Sequence, residues 1–293
     1  MNEPVEVWRL PEHDAGAGRR ACGWTVGPDG ELVVLLVPGE KPSGACGRTC
    51  PDPLPDAELV TVTPEGERRT ALRGLAVDPD HLAPLPGGRL LVASYRADEE
   101  PGGWAPNAVV FGPDGEPEHE LVLGDDIRTL VADRDGRIWM AFGDEGIYGD
   151  HPMAHPGLVG ADPAGRMVWR PGPDELPGYP LEGLAGATEG RAVWLAWYPG
   201  STASYLTRID PAGRSVSRRS PVRLPLGFAV GGRQGIFLTH AGELVRCLLV
   251  GKEWKETGRR RLRLPGELDR ERAYGRDGVL RFRSGDAWYR VAA

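Results

Sequence analysis

The segment Ile127-Arg-Thr-Leu-Val-Ala-Asp-Arg-Asp-Gly-Arg-Ile-Trp-Met-Ala-Phe142 contains two apolar runs on either side of a turn that ends at Gly136. Two short apolar runs joined by an Asp-Gly turn are typical of a β-hairpin. The pattern recurs six times, with turn glycines at positions 30, 88, 136, 190, 235 and 278. These glycines are 58, 48, 54, 45 and 43 residues apart, which indicates one structural unit with loops of variable length.

A second hairpin turn follows each of the first five copies. The turns are Pro64-Glu-Gly66, Pro113-Asp-Gly115, Asp162-Pro-Ala-Gly165, Asp210-Pro-Ala-Gly213 and Val250-Gly251. Proline presets φ in such turns and glycine accepts a positive φ. Each unit is therefore predicted to contain four short antiparallel strands, A to D. Repeated units of this kind predict an all-β fold, a six-bladed β-propeller of four-stranded antiparallel blades.

The sixth copy supplies only strands A, B and C, the last of them over Asp286–Val291. We expect Val5–Leu10 to provide the missing strand D, so that the N-terminal strand joins the last blade and closes the ring. Closure would remove the exposed strand edges that promote aggregation. Residues 1–293 are accordingly predicted to form a single propeller domain, with seven blades as the alternative.

Composition agrees with a β-rich globular protein. The 293 residues include 42 Gly and 28 Pro, too many for long helices, and nine Trp with 40% hydrophobic residues suffice for a core. No apolar run approaches the ~20 residues of a membrane span, and no secretory signal is visible. The net charge of −7 argues against nucleic acid as a partner. We expect a soluble cytoplasmic protein without a membrane partner. Its preference for Arg over Lys is typical of a GC-rich bacterial genome.

The second strand of a unit is apolar at every position rather than at alternate ones. Ile138–Phe142 and Val193–Trp197 both have this pattern. A strand reads this way when both of its faces are buried, here between neighbouring blades. Most of the tryptophans are therefore predicted to pack between blades: Trp8, Trp139, Trp169, Trp194, Trp254 and Trp288.

The phrase Asp133-Arg-Asp-Gly-Arg-Ile-Trp139, with its weaker copies, resembles the blade signature of the NHL-repeat, gluconolactonase (regucalcin-like) and streptogramin-lyase propellers. The resemblance covers the repeat skeleton of the whole chain and implies the propeller fold. Gluconolactonase-type propellers bind a divalent metal at the channel mouth through carboxylates and asparagines. This chain has only Asn2 and Asn107, so that metal site does not transfer, and no histidine matches the catalytic one of the lyases.

The predicted loops differ between the two faces of the propeller. The A–B and C–D turns are tight, whereas the B–C loops at Pro38–Asp56, Arg96–Pro106 and Gly143–Pro156 are long. Functional residues concentrate in loops on a rigid scaffold, and long loops need a reason. We expect the loop-rich face, at the entrance of the central channel, to be the functional one.

Counting eight residues back from each A–B turn glycine gives the residues expected at this entrance. They are Cys22, Asp80, Arg128, Glu182, Gly227 and Arg270, and the next position adds His81 and Glu271. Alternating carboxylates and arginines suit a polar or zwitterionic ligand, because arginine pairs with carboxylates through two hydrogen bonds. The competing interpretation is a ring of salt bridges that neutralise one another.

Cysteine and histidine pairs occur in two of the long loops. Cys46 and Cys50 are spaced as C-x3-C, and His151 and His155 as H-x3-H. Both spacings are used by zinc ligands, so zinc at these four residues is one hypothesis. A disulfide or a pair of thiols at Cys46 and Cys50, or a bond from either to Cys22, is the alternative, and Cys247 is predicted to be a buried thiol.

Two classes of function follow. The first is a binding scaffold for a small polar ligand or a protein partner at the entrance face. The second is a hydrolase, lyase or isomerase acting on a small molecule at the same channel mouth, with an acid–base pair drawn from Asp80, His81, Glu182 and Glu271. Nucleophile, metal-protease and nucleotide-binding motifs are absent from the sequence, so whether the protein is an enzyme stays open.

Overall fold

Antiparallel sheets in a propeller arrangement make up most of the structure, a computed structural model that describes residues 3–39, 57–200 and 203–293. Four of these sheets are separate and four-stranded. Sheet I contains β2 (Arg19–Val26), β3 (Leu32–Pro38), β4 (Ala57–Thr63) and β5 (Gly66–Leu72). Sheet II contains β6 (His81–Leu85), β7 (Arg89–Ala93), β10 (Ala108–Phe111) and β11 (Pro117–Leu121). Sheet III contains β12 (Ile127–Ala132), β13 (Ile138–Phe142), β14 (Leu158–Ala161) and β15 (Met167–Trp169). Sheet V contains β20 (Pro225–Gly231), β21 (Gln234–Thr239), β22 (Glu243–Val250) and β23 (Glu253–Arg261).

The remaining sheet has eight strands and consists of two antiparallel halves. Half IV contains β16 (Glu182–Glu189), β17 (Ala192–Tyr198), β18 (Tyr205–Ile209) and β19 (Ser215–Arg219). Half VI contains β24 (Leu268–Arg276), β25 (Val279–Ser284), β26 (Ala287–Ala292) and β1 (Val5–Arg9). A short parallel pairing between β16 and β24 joins the halves. The N-terminal strand β1 pairs antiparallel with β26, with Val5 opposite Arg290 and Arg9 opposite Ala287.

In the described part of the chain, the elements outside these sheets are short. They are a two-stranded hairpin of β8 (Glu99–Glu100) and β9 (Gly103–Trp104), the helices α1 (Glu12–Gly16) and α2 (Asp144–Tyr148), and a 3-10 turn at Pro86–Gly88. No helix in the described ranges is long and apolar enough to cross a membrane.

The hairpin turns have the chemistry that the sequence indicates, except in sheet V, where the predicted turn glycine Gly235 lies inside β21 and the turn is made at Gly232, which has a φ of 62°. In the β12–β13 turn, Asp133 accepts hydrogen bonds from the backbone N–H groups of Asp135 and Arg137, and Gly136 has a φ of 82°. In the β14–β15 turn, Asp162 and Gly165 repeat the arrangement, with N–H donors at Ala164 and Arg166. An aspartate that holds the turn and a glycine that takes the left-handed conformation together fix the strand register.

The tryptophans form the core between and within the sheets, and their predicted burial is confirmed for five of the six; Trp169 is half-buried. Trp194 of half IV packs against Trp254 of sheet V at 6.2 Å between ring centroids. Trp139 packs on Trp169 at 5.5 Å and donates its indole N–H to Asp133 at 2.9 Å. Trp139 therefore links the packed interior of sheet III to the turn at its end.

The first strands of the units are β2, β6, β12, β16, β20 and β24. First strands of neighbouring units approach one another very closely. A Cβ atom on Gly275 of β24 would lie 1.8 Å from the carbonyl oxygen of Phe228 in β20, and one on Gly186 of β16 would lie 2.7 Å from Val131 of β12. Near the turn ends of these strands, the buried Arg276 donates hydrogen bonds to the carbonyls of Pro28 and Ala132. Its guanidinium thus lies across the space between sheets I and III.

Replacing Trp139 by alanine should lower the free energy of unfolding by about 3–5 kcal/mol. The change leaves a cavity and deprives the buried Asp133 carboxylate of the indole N–H. The measurement is the midpoint of urea unfolding, provided that the dependence of the unfolding free energy on urea concentration (the m-value) is unchanged. Val168→Ala, an exposed change in the same sheet, is the control and should stay within about 0.5 kcal/mol of wild type. Equal effects of the two changes would contradict the packing role of Trp139.

Candidate functional site

A cavity of about 560 Å³ lies where the first strands begin, at the end away from the turns that join first and second strands. We call it the mouth cavity. Its acidic, basic and histidine lining residues are Asp80, His81, Arg128, Glu182, His240, Glu271 and Arg272. Five of the residues predicted for the entrance are therefore brought together here. Five different units contribute to the lining, so the cavity exists only in the assembled fold.

Most first strands are irregular at the cavity end. The pairing register shifts between Ala21 and Gly23 in β2, between Ile127 and Thr129 in β12, and between Gly183 and Ala185 in β16; β20 and β24 have similar shifts. A β-bulge leaves one residue unpaired and redirects its side chain. In β12 the bulged residue is Arg128, and this places its side chain on the cavity wall.

Arg128 lies between two carboxyl groups. Its Nε atom is 2.9 Å from Oδ1 of Asp126 and 3.3 Å from Oε1 of Glu182. Both contacts are ion pairs, and Arg128 donates no aligned hydrogen bond to any residue in the described part of the chain. Its side chain is 38% exposed. The N–H groups of a guanidinium are strong donors to anions, so this side chain can bind an anionic group in the cavity.

Counting back from the turn glycines does not find Asp126, because this residue precedes β12. Asp126 does not line the cavity itself. Its side chain is fully buried and its φ is +58°, a left-handed conformation that is uncommon for residues other than glycine. Burial raises the pKa of its carboxyl, and the Arg128 charge opposes that rise. The adjacent acidic pair Asp125-Asp126, just before an apolar strand, is the one sequence signal that pointed here.

Glu182 is a carboxyl of the cavity wall whose pKa is shifted by its surroundings. Its pKa is raised above the ordinary value of 4.5, first by burial and also by the nearby carboxylates of Asp126 and Asp144. The Arg128 charge and the backbone N–H of Asp144 act in the opposite direction. A raised carboxyl pKa in a cavity is a frequent property of catalytic acids and bases.

Two other predicted residues line the cavity at the start of β6, two units before Glu182 in chain order. Asp80 accepts a hydrogen bond from the N–H of Tyr95 at 3.2 Å, and its Oδ1 lies 3.9 Å from Arg272. His81 is buried, and its Nε2 donates to the carbonyl of Ile127 at 2.7 Å. His81 therefore links sheets II and III. Because its Nε2 is already hydrogen-bonded to a carbonyl, this nitrogen is less suited to proton transfer.

Two predicted ligand-binding residues do not line the cavity. Arg270 is exposed outside it, and Arg272 takes the place on the wall. The count of eight residues fails because the register of β24 shifts between Leu268 and Ala273. Cys22 is the bulged residue of β2, and its thiol donates to the carbonyl of Leu35 inside sheet I. It faces a separate crevice beside Glu271 and Arg272.

The predicted zinc ligands are not assembled in the described residues. His151 is buried against Trp104, with 4.7 Å between ring centroids, and its Nδ1 accepts the N–H of Met153. His155 is exposed, and its Nε2 donates to the carbonyl of Gly149. Residues 3–39, 57–200 and 203–293 contain no group of three or more His, Cys, Asp or Glu suited to a metal ion. Cys46 and Cys50 lie outside these ranges, so zinc stays a prediction.

Burial raises the pKa of the Cys247 thiol to about 12, as expected of a buried thiol.

The long loops that follow the second strands of sheets II and III contact each other. The side chain of Arg96 donates to Asp125 at 2.8 Å and also contacts Glu145 at the start of α2. Trp104 of the β8–β9 hairpin covers His151 in the next loop. The B–C loops of sheets II and III are thus joined to each other by an ion-pair chain and an aromatic contact.

Solved structures of similar fold include a gluconolactonase from Xanthomonas campestris, which is 16% identical. That match covers 100% of this chain and 95% of the other, with a TM-score of 0.52. The chain shares the β-propeller fold of this gluconolactonase. A putative 6-phosphogluconolactonase from Bacteroides uniformis is 11% identical over 87% of this chain and 75% of its own, with a TM-score of 0.51. A chain of a mitotic checkpoint complex is 8% identical over 94% and 77%, with a TM-score of 0.53.

At these identities the similarity to gluconolactonase-like propellers concerns the fold alone. The sequence matches no family model and no curated protein sequence. Evidence for the function of this propeller therefore comes from its own cavity.

Replacing Arg128 by alanine should raise the pKa of Glu182 further, because the Arg128 charge favours the ionised carboxyl. The measurement is a pH titration of the Glu182 side-chain carbon by ¹³C NMR. Arg166→Ala removes an equally positive charge from the β14–β15 turn and is the matched control, expected to leave the midpoint in place. A Glu182 midpoint that is unchanged or lowered in Arg128→Ala would contradict the ion pair.

Proposed function

We propose that the protein binds a small polar molecule with an anionic group in the mouth cavity. Arg128 carries the proposal, because it lines the cavity, is partly exposed and holds its N–H groups without an aligned partner in the described chain. Arg272 supplies a second positive charge. The carboxylates of Asp80, Glu182 and Glu271 would accept hydrogen bonds from hydroxyl or ammonium groups of the same ligand.

The shape of the site favours a small molecule over a protein partner. A volume of about 560 Å³ falls within the range of about 300–1,000 Å³ that is usual for small-molecule sites. A concave, charged wall suits a polar ligand, whereas a protein partner usually needs exposed aromatic or apolar anchors. The wall carries both positive and negative side chains, which suits a ligand with both acidic and hydroxyl groups.

Isothermal titration calorimetry with a panel of small hydroxy acids, gluconate included, tests this proposal. Arg128→Ala should weaken binding of the best member by about 1.5–3 kcal/mol, or about 10- to 150-fold, the range for a hydrogen bond to a charged group. Arg166→Ala should bind like wild type. A panel without any binding, or equal affinity in Arg128→Ala and wild type, would contradict the proposal.

A second candidate function is hydrolysis of a small ester or lactone at the same cavity. The raised pKa of Glu182 favours it, since a carboxyl of this kind can take a proton from an attacking water molecule and return it to the leaving alkoxide. The fold neighbours named as a gluconolactonase and a putative 6-phosphogluconolactonase suggest lactones as the first substrates to assay. Glu182→Gln should then reduce kcat by about 10²- to 10⁴-fold, whereas turnover that survives in Glu182→Gln would exclude this role.

We also propose that the propeller is a single domain of six blades closed by the N-terminal strand, with halves IV and VI as two of the blades. The pairing of β1 with β26 supports this proposal. So do the contacts of half VI with sheet I, where Trp24 packs on Tyr274 at 4.9 Å and Arg283 donates to the carbonyl of Ala21. An experimental structure with seven blades, or with Val5–Arg9 outside the last sheet, would contradict it.

A further inference from the structure

We propose that Asp126 is a positioning residue that holds the Arg128 guanidinium at the mouth cavity, between two carboxyl groups. The consequence for ligands depends on the proposed function, because it assumes that Arg128 contacts the anionic group. The contact between Asp126 and Arg128 is a property of the protein itself. The proposal can therefore be tested with and without a ligand.

The backbone gives Asp126 its position. Its φ of +58° turns the chain just before β12, and its side chain is fully buried while that of Arg128 reaches the cavity. Residues other than glycine keep such a conformation when the surrounding structure holds it in place. Here the bulge of β12 adds a second irregularity at Arg128. The two irregularities together bring the side chains of positions 126 and 128 to one side, where Oδ1 and Nε are 2.9 Å apart.

The loop after β13 is packed directly on this pair. A Cβ atom on Gly143 would lie 2.3 Å from Oδ2 of Asp126 and 2.5 Å from Nε of Arg128. The N–H of Gly146 reaches Oδ2 at 3.4 Å, and a Cβ atom there would lie 2.0 Å from the carbonyl of Asp125. Only glycines leave enough space for the loop to cover the ion pair at this distance. The Oδ1 atom of Asp126 is buried without an aligned hydrogen bond from the described residues, so its stabilising neighbour is the Arg128 charge.

Arg128 forms ion pairs with the carboxylates of both Asp126 and Glu182. Arg96 is engaged with Asp125 and Glu145, so it contributes only at longer range. Asp144 and Glu182 add negative charge from α2 and β16. One guanidinium therefore balances Asp126 on the buried side and Glu182 on the cavity side. If the charge of Asp126 were removed, Arg128 would pair with Glu182 alone.

The first test is Asp126→Asn in the protein without ligand, because asparagine keeps the shape and removes the charge. The pKa of Glu182, followed by ¹³C NMR, should fall, since a repelling carboxylate is lost and Arg128 is no longer shared. Glu145→Gln, an exposed carboxyl change on the same loop, is the matched control and should leave this midpoint in place. A Glu182 midpoint that does not fall in Asp126→Asn would overturn the proposal.

A second variant keeps the test valid if Asp126→Asn does not fold. In Arg128→Ala, which changes a partly exposed residue of the cavity wall, the midpoint of the Asp126 side-chain carbon should rise, because Arg128 favours its ionised form. An unchanged Asp126 midpoint would mean that the pair is not electrostatically coupled and would overturn the proposal.

Binding of gluconate, or of the tightest hydroxy acid of the panel, then separates the two proposals. Asp126→Asn should weaken that ligand about tenfold, while Glu145→Gln should bind like wild type. If wild type binds no member of the panel but the Glu182 midpoint falls in Asp126→Asn, the proposed function fails and the positioning role stands. If wild type binds and Asp126→Asn has unchanged affinity, the positioning role fails and the proposed function stands.

Discussion

The close approach of the first strands is the constraint on which the rest of the structure depends. At Gly275 and Gly186 any side chain would collide with the backbone or side chains of the neighbouring unit. Such packing leaves little space between the first strands near their turns, where Arg276 donates to two carbonyls. At the other end the pairing register of most first strands shifts, and the mouth cavity lies there.

The bulges connect this packing to the chemistry of the cavity. A regular strand alternates its side chains between the two faces of a sheet, so a polar residue at a strand end points wherever the register places it. The bulge in β12 interrupts this alternation and presents Arg128 to the cavity. A positive charge so placed is stabilised by the buried Asp126, and it moderates the raised pKa of Glu182. The fold thereby places a guanidinium beside a carboxyl whose pKa is raised.

The loops of sheets II and III complete the site without contributing a regular structure of their own. Their contacts are an ion-pair chain through Arg96 and an aromatic contact between Trp104 and His151. The loop after β13 also uses glycines at 143 and 146 to lie directly on the Asp125-Asp126 segment. Through these contacts the loops lie over the buried carboxylates of Asp125 and Asp126.

The sequence by itself determined the repeating four-stranded units, their turns and the buried tryptophans. Those features depend on short-range effects, namely Asp-Gly turn chemistry and apolar runs, which can be read within a few residues. It also predicted that Asp80, Arg128, Glu182 and Glu271 would meet, because a repeat places equivalent positions at equivalent heights. Only the tertiary structure decided that Arg272 replaces Arg270 on the wall, that Cys22 turns into sheet I, and that Asp126 lies beneath Arg128. Each of these outcomes depends on a register shift or a buried charge, and both are set by the packing of neighbouring strands and loops that are distant in the sequence.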